Sequence, residues 1–326
     1  MKNELLSVAE AADRIQSGAA MVIAGADELM GQLPKGNWIG GSTAYFVTEN
    51  GGAVVRDQLF CTTFDTALGA TVRSLSADAI SEISNGYKAG GFTVILVPAM
   101  SDAHIRFALE SADNPDLFDQ PLVGWITGVH LDDLGKVAPV VYDGATGEKS
   151  ENAVVLLHIA MPAGSSVNVD IVNIFSQGEE LSVTFSETGF TARDAVINGR
   201  ELNLASYLVE NNIDTRLPFV ANYAGSMVNV SVQTIDAVDG RVDFYAPVVA
   251  GMEYKLAVPQ PDYAAAFANS IGEAGAGQYS CNCILNYLYG DLEGKKTGGF
   301  TGPVTFGEIA YILLNQTLVK LDVKAA

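Results

Sequence analysis

The chain has 326 residues, of which 48% are hydrophobic and 17% charged, a balance that supplies a large folded core and excludes a self-repelling disordered polymer. Its 38 acidic against 18 basic residues give a formal net charge of −20, a field that repels phosphate backbones and anionic headgroups, so neither nucleic acid nor a membrane surface is expected as a partner. At roughly 150 residues per domain, the length suggests two domains.

In chain order, Ser7 and Glu10 form a capping box ahead of Ala11, Ala12 and Ile15 at helical spacing, which predicts a first helix ending at Gly18. The apolar run 19–24 predicts a buried strand and is too short for a signal-peptide core or a membrane span. With no basic cluster in Met1-Lys2-Asn3-Glu4, the chain is expected to be unexported and cytoplasmic. Apolar β-rich runs follow at 92–97, 122–126, 154–159 and 181–185, with helical patterns at 76–83 and 102–111. The run 154–159 lacks polar alternation and reads as a central strand covered on both faces.

Asn198-Gly199 supplies the positive backbone dihedrals of a tight hairpin, and a helix is expected over 204–210. Short strands at 219–223, 228–238, 242–245 and 254–258, with Asp239-Gly240 as a turn, read as an antiparallel meander before a helix over 263–271. The fold class is therefore mixed α+β, with expected subdomains at 1–195 and 196–326.

Leu29-Met30-Gly31-Gln32-Leu33 and Leu288-Tyr289-Gly290-Asp291-Leu292 share a Leu-x-Gly-x-Leu pattern, each after a strand candidate. Downstream, the glycine-rich segment 36–43, which ends in Gly40-Gly41-Ser42-Thr43, lines up with 298–305. Two duplicated units about a pseudo-twofold axis are expected on this ground. Their glycine turns would let backbone N–H groups approach a ligand closely, although tight packing explains glycines equally well.

The densest chemistry lies at Cys281-Asn282-Cys283, Gly302, Thr305 and Glu308. The thiols read either as small buried apolar groups or as nucleophiles, and nucleophilic use requires a base such as histidine, none of which follows His158. Glu308 reads either as an amine ligand or as the cap of a helix through Ile309, Tyr311, Ile312 and Leu313. Three cysteines cannot form a disulfide framework, and the spacing of Cys281 and Cys283 does not suit zinc. His158 reads as core, His104 as part of the exposed face of a helix and His130 as a loop residue, and none of the three carries a haem-ligand motif. Dinucleotide-binding, phosphate-loop and nucleophile-elbow motifs do not occur.

Several segments in order resemble the C-terminal portion of the FIST family of bacterial sensory domains: 197–202, Leu217-Pro218-Phe219-Val220, 235–240, 247–252 and 305–309. Ile39-Gly40-Gly41-Ser42-Thr43 is similar to that family's Gly-Gly-Thr/Ser turn. The chain departs from the family after Cys281, where Asn282-Cys283-Ile284 replaces a Gly-Arg element and argues against an arginine-held anion. The resemblance implies a small-molecule-binding input protein that signals through a separate output partner and needs no cofactor. The expected ligand is a small polar metabolite such as an amino acid or amine, held by Gly40, Gly41, Ser42, Thr43, Cys281, Asn282, Gly302, Thr305 and Glu308. An enzyme using Cys281 and Cys283, a haem-based gas sensor and a scaffold are the alternatives.

Overall fold

The structure is a computed structural model that describes residues 1–223, 225–271 and 278–324. The first 63 residues supply β1 (Lys2–Leu6), α1 (Val8–Gln16), β2 (Met21–Gly25), α2 (Asp27–Met30), β3 (Trp38–Ser42), β4 (Tyr45–Thr48), β5 (Gly51–Val54) and β6 (Leu59–Thr63). A second unit runs through β7 (Gly69–Ser76), β8 (Phe92–Pro98), α3 (Asp102–Glu110), β9 (Leu122–Thr127), β10 (Val141–Asp143), β11 (Glu148–Ser150) and β12 (Ala153–Ala160).

A third unit opens with β13 (Ser166–Val172) and is then interrupted. The interruption holds β14 (Gln177–Thr184), β15 (Gly189–Ala192), β16 (Asp194–Ile197), β17 (Arg200–Asn203), α4 (Leu204–Glu210), β18 (Phe219–Tyr223), β19 (Ser226–Val230), β20 (Val232–Asp236), β21 (Arg241–Val248) and β22 (Glu253–Ala257). The unit resumes with α5 (Tyr263–Ile271), β23 (Gln278–Cys283), α6 (Ile284–Tyr289), β24 (Gly302–Thr305), β25 (Glu308–Ala310), β26 (Ile312–Leu314) and β27 (Leu318–Lys324).

Three six-stranded sheets repeat one plan. Their orders are β1-β6-β2-β3-β10-β11, β7-β12-β8-β9-β25-β26 and β13-β27-β23-β24-β4-β5. In each, the central pair is parallel and joined through a helix-bearing crossover, as parallel neighbours require, while the flanking pairs are antiparallel. The last two strands of every sheet are a hairpin lent by another unit: the second unit lends to the first, the third to the second, and the first to the third. The two Leu-x-Gly-x-Leu segments lie in the crossovers of the first and third units.

Strand periodicity explains why these runs look uniformly apolar. Val22, Ala24, Val94, Leu96, Tyr279 and Cys281 project into one core shared by all three sheets. In β2 and β8 the alternates pack outward beneath helices, Met21 and Ile23 under α1 and Ile95 and Val97 against α3, whereas in β23 they are the polar Ser280 and Asn282, and Cys283, at the strand's end, leaves the shared core to pack among residues of α5 and α6. β12, covering the run 154–159, lies between β8 and β7 and is buried over that run on both faces. The Ser7 capping box starts α1 as its spacing predicts. The pattern at 76–83 instead forms a 3-10 segment, Ala77–Gly86, kinked at Ala79.

Residues 177–257 form two further sheets, β17-β16-β14-β22-β18-β19 and β15-β21-β20, around a separate core. Asn198 (φ 47°) and Gly199 (φ 80°) make the tight hairpin between β16 and β17. The subdomain boundary expected at 195/196 falls inside β16. A buried polar cluster fastens this module to the main body: Ser231 Oγ donates to Asn315 Oδ1 at 2.7 Å, and Asn229 Nδ2 donates to the Gln316 carbonyl at 3.1 Å. Among the described residues, no helix is long and apolar enough to cross a membrane.

Candidate functional site

The glycines singled out in the sequence stand where backbone and side chains crowd. A Cβ on Gly40 would lie 2.9 Å from Met30 Sδ and Trp38, and one on Gly41 would lie 2.5–2.7 Å from Trp125 and Thr127. On Gly302 it would run into the Ser280 carbonyl. The adjacent hydroxyls join units together. Thr43 Oγ1 donates to the Val304 carbonyl at 2.7 Å, and Ser42 Oγ accepts from Val140 N at 2.9 Å. The Ser42 carbonyl accepts from Gly128 N at 2.8 Å, and Phe306 N donates to the Ile126 carbonyl at 3.0 Å, so the ends of β3, β9 and β24 interlock.

Asn282, Thr305 and Glu308 are brought together, fully buried. Thr305 Oγ1 lies 3.3 Å from the Asn282 carbonyl and 3.5 Å from Glu308 Oε1. Glu308 Oε2 accepts from the Thr317 hydroxyl at 2.8 Å and from Thr317 N at 3.3 Å. Burial nevertheless pushes this carboxyl up to about 8, because its hydrogen bonds only partly offset the lost hydration. The expectation that Glu308 caps a helix is corrected: it opens β25, and Tyr311 at φ 65° turns the chain into β26.

Cys281 faces the shared core, its thiol 3.3 Å from the Gly124 carbonyl, whereas Cys283 precedes α6. Burial, then the nearby Glu308, raises both thiols well above the ordinary range. All three histidines belong to the second unit, away from these cysteines in the chain. Among the described residues, no group of three or more His, Cys, Asp or Glu is arranged to hold a metal ion.

Two clefts open at the carboxyl ends of the parallel strands, the place where open α/β sheets receive ligands. One is polar and bordered by Ser42, Thr43, Asp27, Arg56, His130 and Asp133. Several of its polar groups are already engaged: Asp27 accepts from Tyr142 at 2.5 Å and from Lys149 at 2.9 Å, Arg56 pairs with Asp133 at 2.5 Å, and His130 stacks on Tyr45.

The other is a cavity of about 400 Å³ between the ends of β8, β23 and β24 and the inserted module. The main body contributes Ala99, Met100, Ile105, Leu131 and Leu134; α6 contributes Ile284, Leu285 and Leu288; the module contributes Phe190, Phe244 and Tyr245. Met100 and Ile105 occupy the two hydrophobic-staple positions flanking the start of α3, yet they are 61% and 43% exposed at this cavity.

His104 is the polar group set deepest in this wall. The sequence places it on the exposed face of a helix; the structure corrects this, since it is 9% exposed. Ser101 Oγ caps its backbone N–H at 3.0 Å, and its Nδ1 accepts from Met100 N at 3.2 Å. An acceptor at Nδ1 puts the remaining proton on Nε2, which is itself enclosed and has no hydrogen-bond partner among the described residues. Burial pushes the imidazole down to about 4, so it is neutral at pH 7. Sequence reasoning missed this cavity because its walls come from segments up to about 200 residues apart. The apolar pair Met100 and Ile105 around the Ser101 cap was the one local signal.

The molecule is thus an α+β protein of three interlocked six-stranded sheets, with an inserted two-sheet β module that borders an apolar cavity. By sequence it belongs to a family of unknown function, DUF6976, whose model matches residues 6–324. That match carries no link to FIST. No curated protein and no solved structure matches the chain.

Proposed function

We propose that this protein binds a small, largely apolar molecule in the cavity between the inserted module and the carboxyl ends of β8, β23 and β24, and acts as an input protein whose occupancy is read by a separate partner. The observation that carries the binding role is the convergence of apolar walls from three parts of the chain on one roofed cavity with exposed apolar residues at its edge. This occupant is less polar than the metabolite expected from the sequence, because Asn282, Thr305 and Glu308 are enclosed in the protein and line neither cleft. Binding is favoured over turnover by the state of His104: a neutral imidazole whose acceptor nitrogen is already occupied is a poor general base.

Titration with Nile red, a neutral dye that brightens and shifts to the blue in apolar surroundings, tests the site. Wild-type protein is expected to bind the dye saturably. Ile105→Trp and Leu288→Trp, which add bulk at the cavity wall, should weaken binding by about tenfold. Absence of saturable binding by wild type, or unchanged affinity in both variants, overturns the reading.

A further inference from the structure

The apolar walls say that an occupant is greasy; the module's side of the cavity says more. Along β21 the side chains alternate: Val242 and Phe244 pack into the module's own core, while Asp243 and Tyr245 share the opposite face, are partly exposed and line the cavity. Asp243 stands opposite Thr191 of β15 on one side and Thr234 of β20 on the other. Both neighbouring strands shift register right beside it, at Phe190 and at Gln233, and these two residues also line the cavity. Such irregularities re-aim side chains and recur beside binding sites, and here two of them bracket one carboxylate. The ring of Phe190 reaches toward the main body, its centroid 5.8 Å from that of His104 on α3.

The wall carries one sign of charge. Among the described lining residues none is lysine or arginine, His104 is neutral at pH 7 because burial pushes it down to about 4, and Asp243 is the carboxylate. Arg241 pairs with Asp243 at 3.0 Å but is shared with Asp239 at 3.5 Å and is 40% exposed, so solvent weakens its hold. A carboxylate offers about four lone-pair sites, which leaves Asp243 capacity for a second cation. Around it the rings of Phe190 and Tyr245 on the module, and of Phe306 on the main body, are partly exposed at the cavity. Aromatic rings attract cations through their quadrupole, most strongly where water is thinned, and this is the usual means of holding alkylated ammonium groups. An anion would instead shed its hydration with no counter-charge in the wall, inside a chain of net charge −20.

We infer that the cavity takes an organic cation with a hydrocarbon body, a tertiary or quaternary ammonium, whose charge lies beside Asp243 and the rings of Phe190 and Tyr245 while its body covers the apolar wall of α3 and α6. This rests on the reading of the cavity as a ligand site and narrows it to one chemical class. Asp243 acts here as a binding and specificity residue, with no bond made or broken.

Three probes of one shape separate the possibilities: phenyltrimethylammonium, its uncharged isostere tert-butylbenzene, and benzenesulfonate, each measured by displacement of Nile red and by calorimetry at pH 7.5. The cation is expected to bind about tenfold more tightly than tert-butylbenzene, the order of a partly desolvated contact between a cation and aromatic rings, with the anion weakest. Asp243→Asn should remove most of the cation's advantage while leaving tert-butylbenzene unchanged. Arg241→Gln, which frees the carboxylate, should tighten the cation alone, and circular dichroism shows whether each variant is folded. Saturable dye binding by wild type with the cation no tighter than tert-butylbenzene overturns the inference while leaving the cavity a ligand site. So does a folded Asp243→Asn variant that keeps the cation's advantage, or a folded Arg241→Gln variant that binds the cation no better than wild type. Failure of all three probes and of the dye overturns the inference and the binding role together.

Discussion

The hydroxyl of Thr43, at the end of the first unit's parallel pair, donates to the main-chain carbonyl of Val304 in the third unit, 261 positions away, at 2.7 Å. The same oxygen accepts from Tyr45 N at 3.3 Å, and Thr43 is 2% exposed. One hydroxyl therefore satisfies groups on both sides of a junction between units. Thr43→Val keeps the shape and strands both partners, so urea unfolding should show a loss of about 1–3 kcal/mol. Thr43→Ser should lose much less.

Met100 sits at the cavity with φ 61°, a left-handed conformation that costs a side-chain-bearing residue about 1–2 kcal/mol. Met100→Gly relieves that strain and removes part of the apolar wall. Thermal unfolding should show equal or higher stability, while Nile red affinity falls; a variant that binds the dye as well as wild type would exclude Met100 from the site.

Two kinds of buried titratable group set opposite pH limits. Glu308, raised by burial to about 8 from an ordinary 4.5, contributes stability that is complete below pH 4.5 and lost as pH rises to 8. His104 and His158, lowered chiefly by burial to about 4 from 6.5, contribute stability that is present above pH 6.5 and lost as pH falls to 4. Glu308→Gln should remove most of the decline between pH 5 and 8 and gain about 1–3 kcal/mol at pH 8 over wild type. Denaturant midpoints across that range, wild type beside variant, read this directly.

The three cysteines are expected to behave as inert thiols. Cys61 is pushed to about 12, chiefly by burial, and Cys281 and Cys283 rise for the same first reason. Iodoacetamide at pH 7.5 should leave all three unmodified in native protein over hours and label them within minutes in urea. Rapid native labelling at Cys283 would mean that the start of α6 activates its thiol despite burial.

Local signals located most of the elements. The capping box at Ser7, the Asn198-Gly199 turn and the helix at 263–271 depend on neighbours a few residues apart, and each appears where its spacing places it. The run after Glu308 deceived because Ile309, Tyr311, Ile312 and Leu313 suit a helix as well as a tight strand pair, and only contact with β9 decides between them. Likewise Asn282, Thr305 and Glu308 were recognisable as a group, but not the fact that burial encloses them. The cavity around His104 is a product of tertiary contact, which no pattern within one segment encodes.

The borrowed hairpins bear on how the chain folds. Each sheet is finished only by two strands from the next unit round the ring, so none of the three units is complete alone. Separating any unit from the other two would leave its sheet ending at an unpaired edge, so the three are expected to fold and unfold together rather than one after another.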